Sequence, residues 1–240
     1  MDTESNTVKE PGIKKVVTTV SEALQSRRSC RAFLPTPVPG ATVRRIIDAA
    51  RQSPSGGNLQ PWQVYVLANE PLERFRALLA PKLIANPGGE PAEYDVYPAN
   101  LHEPYRSRRY QCGEDLYATI GIARADKPAR LRQLARNYDF FGAPVAMFYV
   151  IDRRMGPPQW SDVGMFMQSV MLLAREQGLH TCAQEIWSAW PRTITEFLGL
   201  APEMILFCGM ALGYRDESAP INTLRTERAA LTECCTFLGL

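Results

Sequence analysis

Two long apolar runs constrain the fold of this chain more than any other feature. Residues 143–151 and 204–212 consist almost entirely of apolar side chains, including several β-branched and aromatic ones. A strand that is apolar on both faces has to be covered on both faces. The sequence therefore predicts a sheet whose central strands lie between two layers of helices.

Shorter patterns predict the elements around these strands. Residues 63–67 and 179–184 are predicted to form two further strands. Thr19 and Glu22 have the spacing of a capping box, Thr42 is predicted to cap the second helix, and Pro157-Pro158 is predicted to close a turn. Periodicity and capping residues predict helices at about 20–26, 42–53, 72–84, 107–121, 127–138, 162–176 and 192–198. We predict one α+β domain with a sheet of four or five strands.

No linker or repeat divides the chain. We predict a flexible N-terminal leader over residues 1–17 and a single domain over residues 18–240. Residues 86–110 begin with a long Pro- and Gly-containing loop, and such loops inside compact domains are more often functional than idle. Residues 214–240 have little periodicity and are predicted to wrap over another surface.

Composition and charge exclude several classes of function. The formal net charge of +2 gives no support to non-specific binding of nucleic acid or of a membrane. The six cysteines are scattered without a C-x-x-C pair, and only two histidines accompany them, so we expect reduced thiols and no metal site. No apolar stretch is long enough to span a membrane, and residues 1–15 lack the apolar core of a signal peptide. A cytoplasmic protein is expected.

An arginine cluster follows the first predicted helix. Arg27, Arg28 and Arg31 place three guanidinium groups within five residues. Guanidinium groups bind phosphate oxygens through paired hydrogen bonds, and a group of them at a helix end is costly unless an anion compensates their charge. The cluster therefore suggests a phosphate site. The alternative interpretation is a solvated basic turn paired with surface carboxylates.

A second loop, residues 53–62, combines glycine with short polar side chains. Its two glycines allow the backbone to approach a ligand closely, while Ser55, Asn58 and Gln60 offer donors and acceptors for the edge of a flat polar ring. No Lys-Ser/Thr follows the glycines and no strand precedes them, so neither a P-loop nor a dinucleotide-binding loop is predicted. The two loops together suggest a phosphorylated cofactor such as a flavin nucleotide. The alternative for this loop is an ordinary turn.

The order and spacing of the two loops resemble the nitroreductase family of FMN-dependent oxidoreductases that use NAD(P)H. The similarity continues through residues 178–185, 209–214 and 220–225, and it covers about residues 20–238. The resemblance implies a central, mostly antiparallel sheet flanked by helices and an intertwined homodimer with flavin sites at its interface. It also implies that hydride passes from NAD(P)H through FMN to nitroaromatic compounds by a ping-pong mechanism.

The resemblance further implies roles for particular residues. The 55–58 loop would come from the partner subunit, the backbone at 184–185 would face the reactive edge of the flavin, and Arg31 would place positive charge near its pyrimidine end. Solvent can supply protons, so no side chain is assigned as a catalytic acid, and His180 is interpreted as a structural residue. The residues that would bind FMN are Arg27, Arg28, Ser29, Arg31, Ser55, Gly56, Asn58, Gln60, Gln184, Glu185 and Arg225.

Residues 86–110 are predicted to form a lid over flat aromatic substrates, or alternatively a surface segment packed on the partner. The arginines at the start of the next helix are predicted to attract a carboxylate or the 2′-phosphate of NADPH, or to remain solvated. The tyrosines predicted to contact substrate are Tyr94, Tyr97 and Tyr105. The arginines are Arg106, Arg108 and Arg109.

Two alternatives to nitroreduction stay open. One is another reaction on the same flavin fold, such as quinone or flavin reduction, dehalogenation or dehydrogenation. The other is a flavin-binding module without catalytic activity.

Overall fold

The computed structural model describes residues 17–240, which form a sheet with helices on both of its faces. The strands are β1 (Gln63–Ala68), β2 (Val145–Asp152), β3 (His180–Gln184) and β4 (Met204–Gly213). The helices are α1 (Val20–Ser26), α2 (Gly40–Ala50), α3 (Asn69–Ala85), α4 (Tyr105–Ala118), α5 (Lys127–Ala135), α6 (Pro157–Glu176), α7 (Pro191–Leu198) and α8 (Leu231–Cys234). Short 3₁₀ turns lie at Gly56–Asn58, Arg136–Gly142, Glu185–Ala189 and Pro220–Thr223.

The sheet has the order β1-β2-β4-β3, and each neighbouring pair of strands is antiparallel. The two apolar runs are therefore its two central strands, as predicted. Beyond β3, Ser29 forms a single parallel bridge with Thr181, which attaches the arginine segment to that edge of the sheet. The predicted α+β fold with a mostly antiparallel sheet of four or five strands is confirmed.

The side chains of β2 alternate between two apolar cores. Phe148 and Val150 face the core that α3 and α7 cover, whereas Met147 and Tyr149 face the core that α2 and α6 cover. All four are fully buried. This alternation explains why the strand is apolar at every position, and it confirms the prediction of helices on both faces.

Helix α6 is the main support of the second core. It packs against α1, α2 and β2, and its Phe166 and Val170 lie among Val43 and Ile46 of α2. The predicted turn at Pro157-Pro158 is wrong, because these prolines occupy the first turn of α6. The first turn of a helix tolerates proline since its N–H groups have no partner within the helix.

The two predicted helix caps have different outcomes. Thr19 and Glu22 form the predicted capping box at the start of α1. Thr42 does not cap α2, because α2 begins at Gly40 and the N–H of Thr42 already donates to the carbonyl of Pro39 (2.9 Å). The predicted leader, residues 1–17, lies outside the described residues except for Val17, which is buried.

Candidate functional site

The arginine segment is fixed beside β3 by backbone contacts and one buried amide. Cys30 N donates to the carbonyl of Thr181 (2.9 Å), and Arg31 N donates to Oδ1 of Asn222 (2.8 Å). The Nδ2 of Asn222 donates to the carbonyls of Ala32 and Asp216, each at 2.8 Å. Asn222 is 3% exposed. It therefore ties the arginine segment to the chain that follows β4, a role that the sequence interpretation missed.

Positive charge is concentrated around Arg28. Burial, followed by the charges of Arg225 and Arg215, lowers the pKa of Arg28, while Glu217 acts in the opposite direction. The Nε atom of Arg28 is buried and has no hydrogen-bond partner among residues 17–240. Burial and the charge of Arg228 likewise lower the pKa of Arg27. Clustered guanidinium groups with a buried unpaired nitrogen are the arrangement that an anion would satisfy.

A further arginine lies behind this cluster. Arg175, near the end of α6, is 8% exposed and donates from Nε to the Ser26 hydroxyl (3.1 Å) and from Nη1 to the Leu179 carbonyl (2.8 Å). Burial first, and then the charges of Arg215 and Arg28, lower the pKa of Arg175. Arg175 thus orders the turn that leads into the cluster. Sequence reasoning missed it because an arginine in the last turn of a helix is commonplace.

Arg31 and Ser29 lie beside β3. The Nη1 of Arg31 donates to the Ser29 carbonyl (3.3 Å), and the charge of Arg31 opposes the rise that burial causes in the pKa of Cys182. Gln184 lies three residues along β3 from Thr181, which is about 10 Å at the rise of a strand. The arginine segment and the 184–185 backbone are thus near the two ends of one short strand.

At the far end of β3, Gln184 turns its side chain into the protein. Its Nε2 donates to the Asn137 carbonyl (2.8 Å), and its Oε1 accepts from Nε1 of Trp187 (3.4 Å). The side chains of Ala183 and Glu185, on either side, are exposed. Nearby protein atoms still desolvate the carboxyl group of Glu185 enough to raise its pKa. The strand end therefore carries two exposed residues, Ala183 and Glu185, on either side of the buried Gln184.

Trp187 packs directly on bare backbone of β4. A Cβ atom added to Gly209 would lie 2.1 Å from Cδ1 of Trp187, well inside contact distance. The indole is fully buried and stacks on Phe140 with ring centres 4.5 Å apart. Gly209 therefore sets the position of Trp187, and through it the position of Gln184.

The second loop is attached to α6. Gly56 N donates to Oδ2 of Asp162 (3.2 Å), a carboxylate that is 4% exposed, and Gln60 N donates to the Ser55 hydroxyl (2.9 Å). Gly57, Asn58 and Gln60 all adopt the left-handed backbone region, with φ of 57°, 56° and 50°. The loop is therefore a tight, exposed turn held by one buried acid. The sequence interpretation missed Asp162, although an acid in so apolar a helix was the available indication.

The two predicted loops are attached to different turns of α6. The 55–60 loop is attached to α6 at Asp162, whereas Ser26, next to the arginine segment, is attached at Arg175. The thirteen residues between these two attachment points correspond to about 20 Å of helix. The second loop has one more attachment to α6, because the Ser53 hydroxyl donates to the Ser169 hydroxyl (2.8 Å).

The three tyrosines predicted to contact substrate lie in two environments. Tyr94 is half-buried, its ring packs edge-on against Trp160 (5.0 Å between centres), and its hydroxyl donates to the Phe207 carbonyl. Burial raises its pKa. Tyr97 and Tyr105 are exposed. Tyr94 thus anchors the segment to the sheet face, while the other two rings are available at the surface.

The arginines of α4 also differ in their partners. Arg106 pairs with Glu103 (2.8 Å), and Arg108 pairs with Glu233 of α8 (2.9 Å). The guanidinium carbon of Arg109 lies 4.1 Å from the centre of the Tyr97 ring. Within residues 17–240, Arg109 has no carboxylate in ion-pair distance.

Helix α4 is connected to the β3 end through α5. Arg130 of α5 binds both carboxylate oxygens of Glu114 (2.6 and 2.9 Å). The turn after α5 carries Asn137, whose backbone carbonyl accepts a hydrogen bond from Gln184.

The part of the chain that the structure describes contains no group of three or more potential metal ligands. None of its helices is long and apolar enough to cross a membrane.

Comparisons with known proteins give a consistent result. Residues 24–214 match the model of the Nitroreductase family. The chain is 40% identical to the 4-nitrobenzoate reductase of Pseudomonas putida, over 89% of this chain and 93% of that protein. It is 36% identical to the nitrobenzene nitroreductase of Ectopseudomonas oleovorans, over 91% and 96%. The crystal structure of the FMN- and NADPH-dependent nitroreductase NfnB from Sphingopyxis sp. strain HMH superposes with a TM-score of 0.90 at 46% identity, covering 93% of this chain and all of that one.

Proposed function

This chain belongs to the nitroreductase family, and on that premise we propose that it is an FMN-dependent oxidoreductase that passes hydride from NAD(P)H to nitroaromatic compounds. The observation that carries the proposal is the concentration of arginines around the buried, unpaired Nε of Arg28, together with the neighbouring strand β3, which ends at the exposed residues Ala183 and Glu185. A phosphate and a flat ring on one ligand would satisfy both features.

The residues present fit FMN. We propose that Arg28, with Arg225 and Arg215 beside it, holds the phosphate group, because the buried Nε of Arg28 has no hydrogen-bond partner among residues 17–240 and an anion would offset the neighbouring positive charges more fully than Glu217, which pairs with Arg215 (3.2 Å). Arg31 and the 184–185 backbone would face the ring. When bound, FMN supplies the hydride acceptor and donor that the side chains of this site lack. The full set that we propose for FMN is Arg27, Arg28, Ser29, Arg31, Ser55, Gly56, Asn58, Gln60, Gln184, Glu185 and Arg225.

The protein residues contribute orientation and charge to the reaction. Arg31 would add positive charge near the ring, which favours the uptake of hydride. Gln184 cannot take part through its side chain, because both ends of that amide already have partners. The proposal therefore assigns the 184–185 segment a backbone role, in which a fixed strand end limits where a substrate can stack.

We propose a homodimer in which the 55–60 loop of each chain completes the flavin site of its partner. The spacing of about 20 Å along α6 between Asp162 and Arg175 supports this, because the two loops are attached to different parts of that helix. The tail over 214–240 would wrap the partner subunit. It carries exposed apolar side chains, and a groove of about 700 Å³ lies open between α2 and β1. The large apolar residues exposed in the tail are Leu231, Phe237, Leu238 and Leu240.

The 86–110 segment is proposed as the substrate lid. Tyr97 and Tyr105 are exposed and able to stack on a flat ring, and Tyr94 would act from its anchored position on the sheet face. The ion pairs of Arg106 and Arg108 support the solvated interpretation for those two arginines. Arg109 differs, because its guanidinium group lies over the ring of Tyr97 and no carboxylate of residues 17–240 lies within ion-pair distance of it.

Arg109→Ala is expected to raise the KM for 4-nitrobenzoate about tenfold while leaving the KM for nitrobenzene unchanged. A charge-assisted hydrogen bond to the substrate carboxylate is worth about 1.5 kcal/mol, and neutral nitrobenzene cannot form it. Steady-state kinetics with both substrates measure the difference. Arg106→Ala is the matched control, because that arginine is already paired. Equal changes for the two substrates would contradict the assignment.

The proposed function is tested on the purified protein with anaerobic spectroscopy. We expect about one FMN per chain, bleaching of its absorbance by NADPH or NADH, and rapid recovery on addition of nitroarenes. A colourless protein that takes up no FMN would refute the cofactor assignment. A yellow protein that NAD(P)H does not bleach would be a binding module without this activity. Recovery with quinones or halophenols but not nitroarenes would favour another reaction of the same fold.

A further inference from the structure

Two neighbouring thiols lie exposed in the tail. Cys234 is the last residue of α8, Cys235 follows it, and their sulfur atoms are 3.8 Å apart. Both side chains are exposed to solvent. Two sulfur atoms at this separation can bind the same soft atom.

The other thiols of the chain are poorly placed to react. Cys30, Cys182 and Cys208 are buried, and Cys112 is partly buried. Burial raises the pKa of Cys30 and of Cys208 to about 12, and it also raises the pKa of Cys182. The thiolate is the reactive form, so burial disfavours reaction of these three thiols at neutral pH. Thiol chemistry of the native protein is therefore concentrated at the 234–235 pair.

The turn that carries the pair has defined contacts. Cys235 N donates to the Leu231 carbonyl (2.8 Å), and Ala230 N donates to Oε1 of Glu233 (3.0 Å). The other oxygen of Glu233 accepts from Arg108 of α4 (2.9 Å). The two thiols are thus presented from a turn fixed to another helix. Because the two thiols are already held close together, they lose less conformational entropy when they bind a ligand.

We propose that Cys234 and Cys235 form a dithiol site for trivalent arsenicals. A monosubstituted arsenical, R–As(OH)₂, exchanges both hydroxyl groups for the two sulfur atoms. Two As–S bonds form, two As–O bonds break, and two water molecules leave with the thiol protons. Arsenic stays trivalent, so no oxidant or reductant is needed. Soft thiolate ligands suit such a thiophilic centre.

Bridging by arsenic suits this pair better than a disulfide. Consecutive Cα atoms are about 3.8 Å apart, below the usual disulfide span of about 4.4–6.8 Å. An arsenic atom bound to both sulfur atoms needs no S–S bond, so it avoids the strain that a disulfide between adjacent residues would carry. This site involves none of the residues proposed for FMN, but it lies in the tail that is proposed to wrap the partner, so it requires both thiols to stay accessible in the dimer.

The test uses phenylarsine oxide and the whole native protein. We expect two thiols to react rapidly with a thiol-specific chromogenic reagent, and one equivalent of phenylarsine oxide to abolish that reaction and appear in the intact mass. A small dithiol should reverse the adduct, whereas a monothiol should not. Because the second bond forms within the molecule, Cys234→Ser and Cys235→Ser should each weaken binding by at least about 100-fold.

Cys112→Ser is the matched control and should bind like the parent. Fewer than two rapid thiols, no adduct on the native protein, or full binding by either single tail variant would overturn the proposal. Loss of binding in Cys112→Ser alone would assign the adduct to that residue and would also overturn it.

Discussion

Arg28→Met is expected to weaken FMN binding by about 100-fold while leaving the apoprotein at least as stable as the parent. Hydrogen bonds to a charged group contribute about 1.5–3 kcal/mol, and a 100-fold loss corresponds to about 2.7 kcal/mol. Without an anion, the charges of Arg225 and Arg215 lower the pKa of Arg28 after burial does, and the opposing effect of Glu217 is smaller than either. Removing its charge therefore relieves repulsion, and methionine retains the apolar stem.

These two opposite effects separate a phosphate-binding role from a structural one. FMN affinity is measured by quenching of flavin fluorescence, and apoprotein stability by denaturant unfolding. Arg74→Met serves as the control, because that exposed arginine pairs with Glu70 on α3 (3.5 Å) and should leave both measurements unchanged. An apoprotein that loses stability in Arg28→Met, with FMN affinity intact, would show that Arg28 supports the fold and binds no phosphate.

Gly209→Ala is expected to destabilise the protein by about 3 kcal/mol, at the upper end of the usual cost of overpacking a core. The added methyl group would lie 2.1 Å from Cδ1 of Trp187, so the indole has to move. That ring is fully buried and packs on Phe140 and Phe148, so a shift of the indole disturbs its packing on those rings. Denaturant unfolding followed by tryptophan fluorescence measures the change.

Gly113→Ala is the matched control for this substitution. Gly113 lies inside α4, and a Cβ atom there would have no neighbour within 4 Å. Alanine at that position should stabilise the protein by about 0.5–1 kcal/mol, because alanine favours helix over glycine. If Gly209→Ala unfolds at the same denaturant concentration as the parent, Trp187 does not depend on the bare backbone of β4.

The sequence predicted the strands and most helices because those elements depend on local patterns. The central strands are apolar at every position since both of their faces are buried, and that property is visible without the fold. The errors at Thr42 and Pro157-Pro158 have a local cause as well. Several residues near a helix start can act as its first residue, and the hydrogen bonds that choose between them are not visible in the sequence.

The site was only partly predictable for a different reason. The arginine cluster and the glycine loop are contiguous, so they were found. Asp162, Arg175 and Asn222 hold them through contacts that span 106, 149 and 191 positions of the chain. A contact between residues so far apart in the chain cannot be recognised from any one segment of the sequence. The resemblance to the nitroreductase family is confirmed, and the assignment of individual residues to FMN stays a prediction, as do the single domain over 18–240 and the cytoplasmic location.

The distance that α6 places between its two attachment points links cofactor binding to self-association. If the loop attached at Asp162 serves the partner's arginines, a lone chain holds only part of each site. A ligand that binds only the dimer favours the dimer by mass action. FMN would then promote association of the subunits, and dilution of the protein would release FMN. The apparent affinity for FMN would rise with protein concentration, and the cell's supply of flavin would control how much of this protein is assembled.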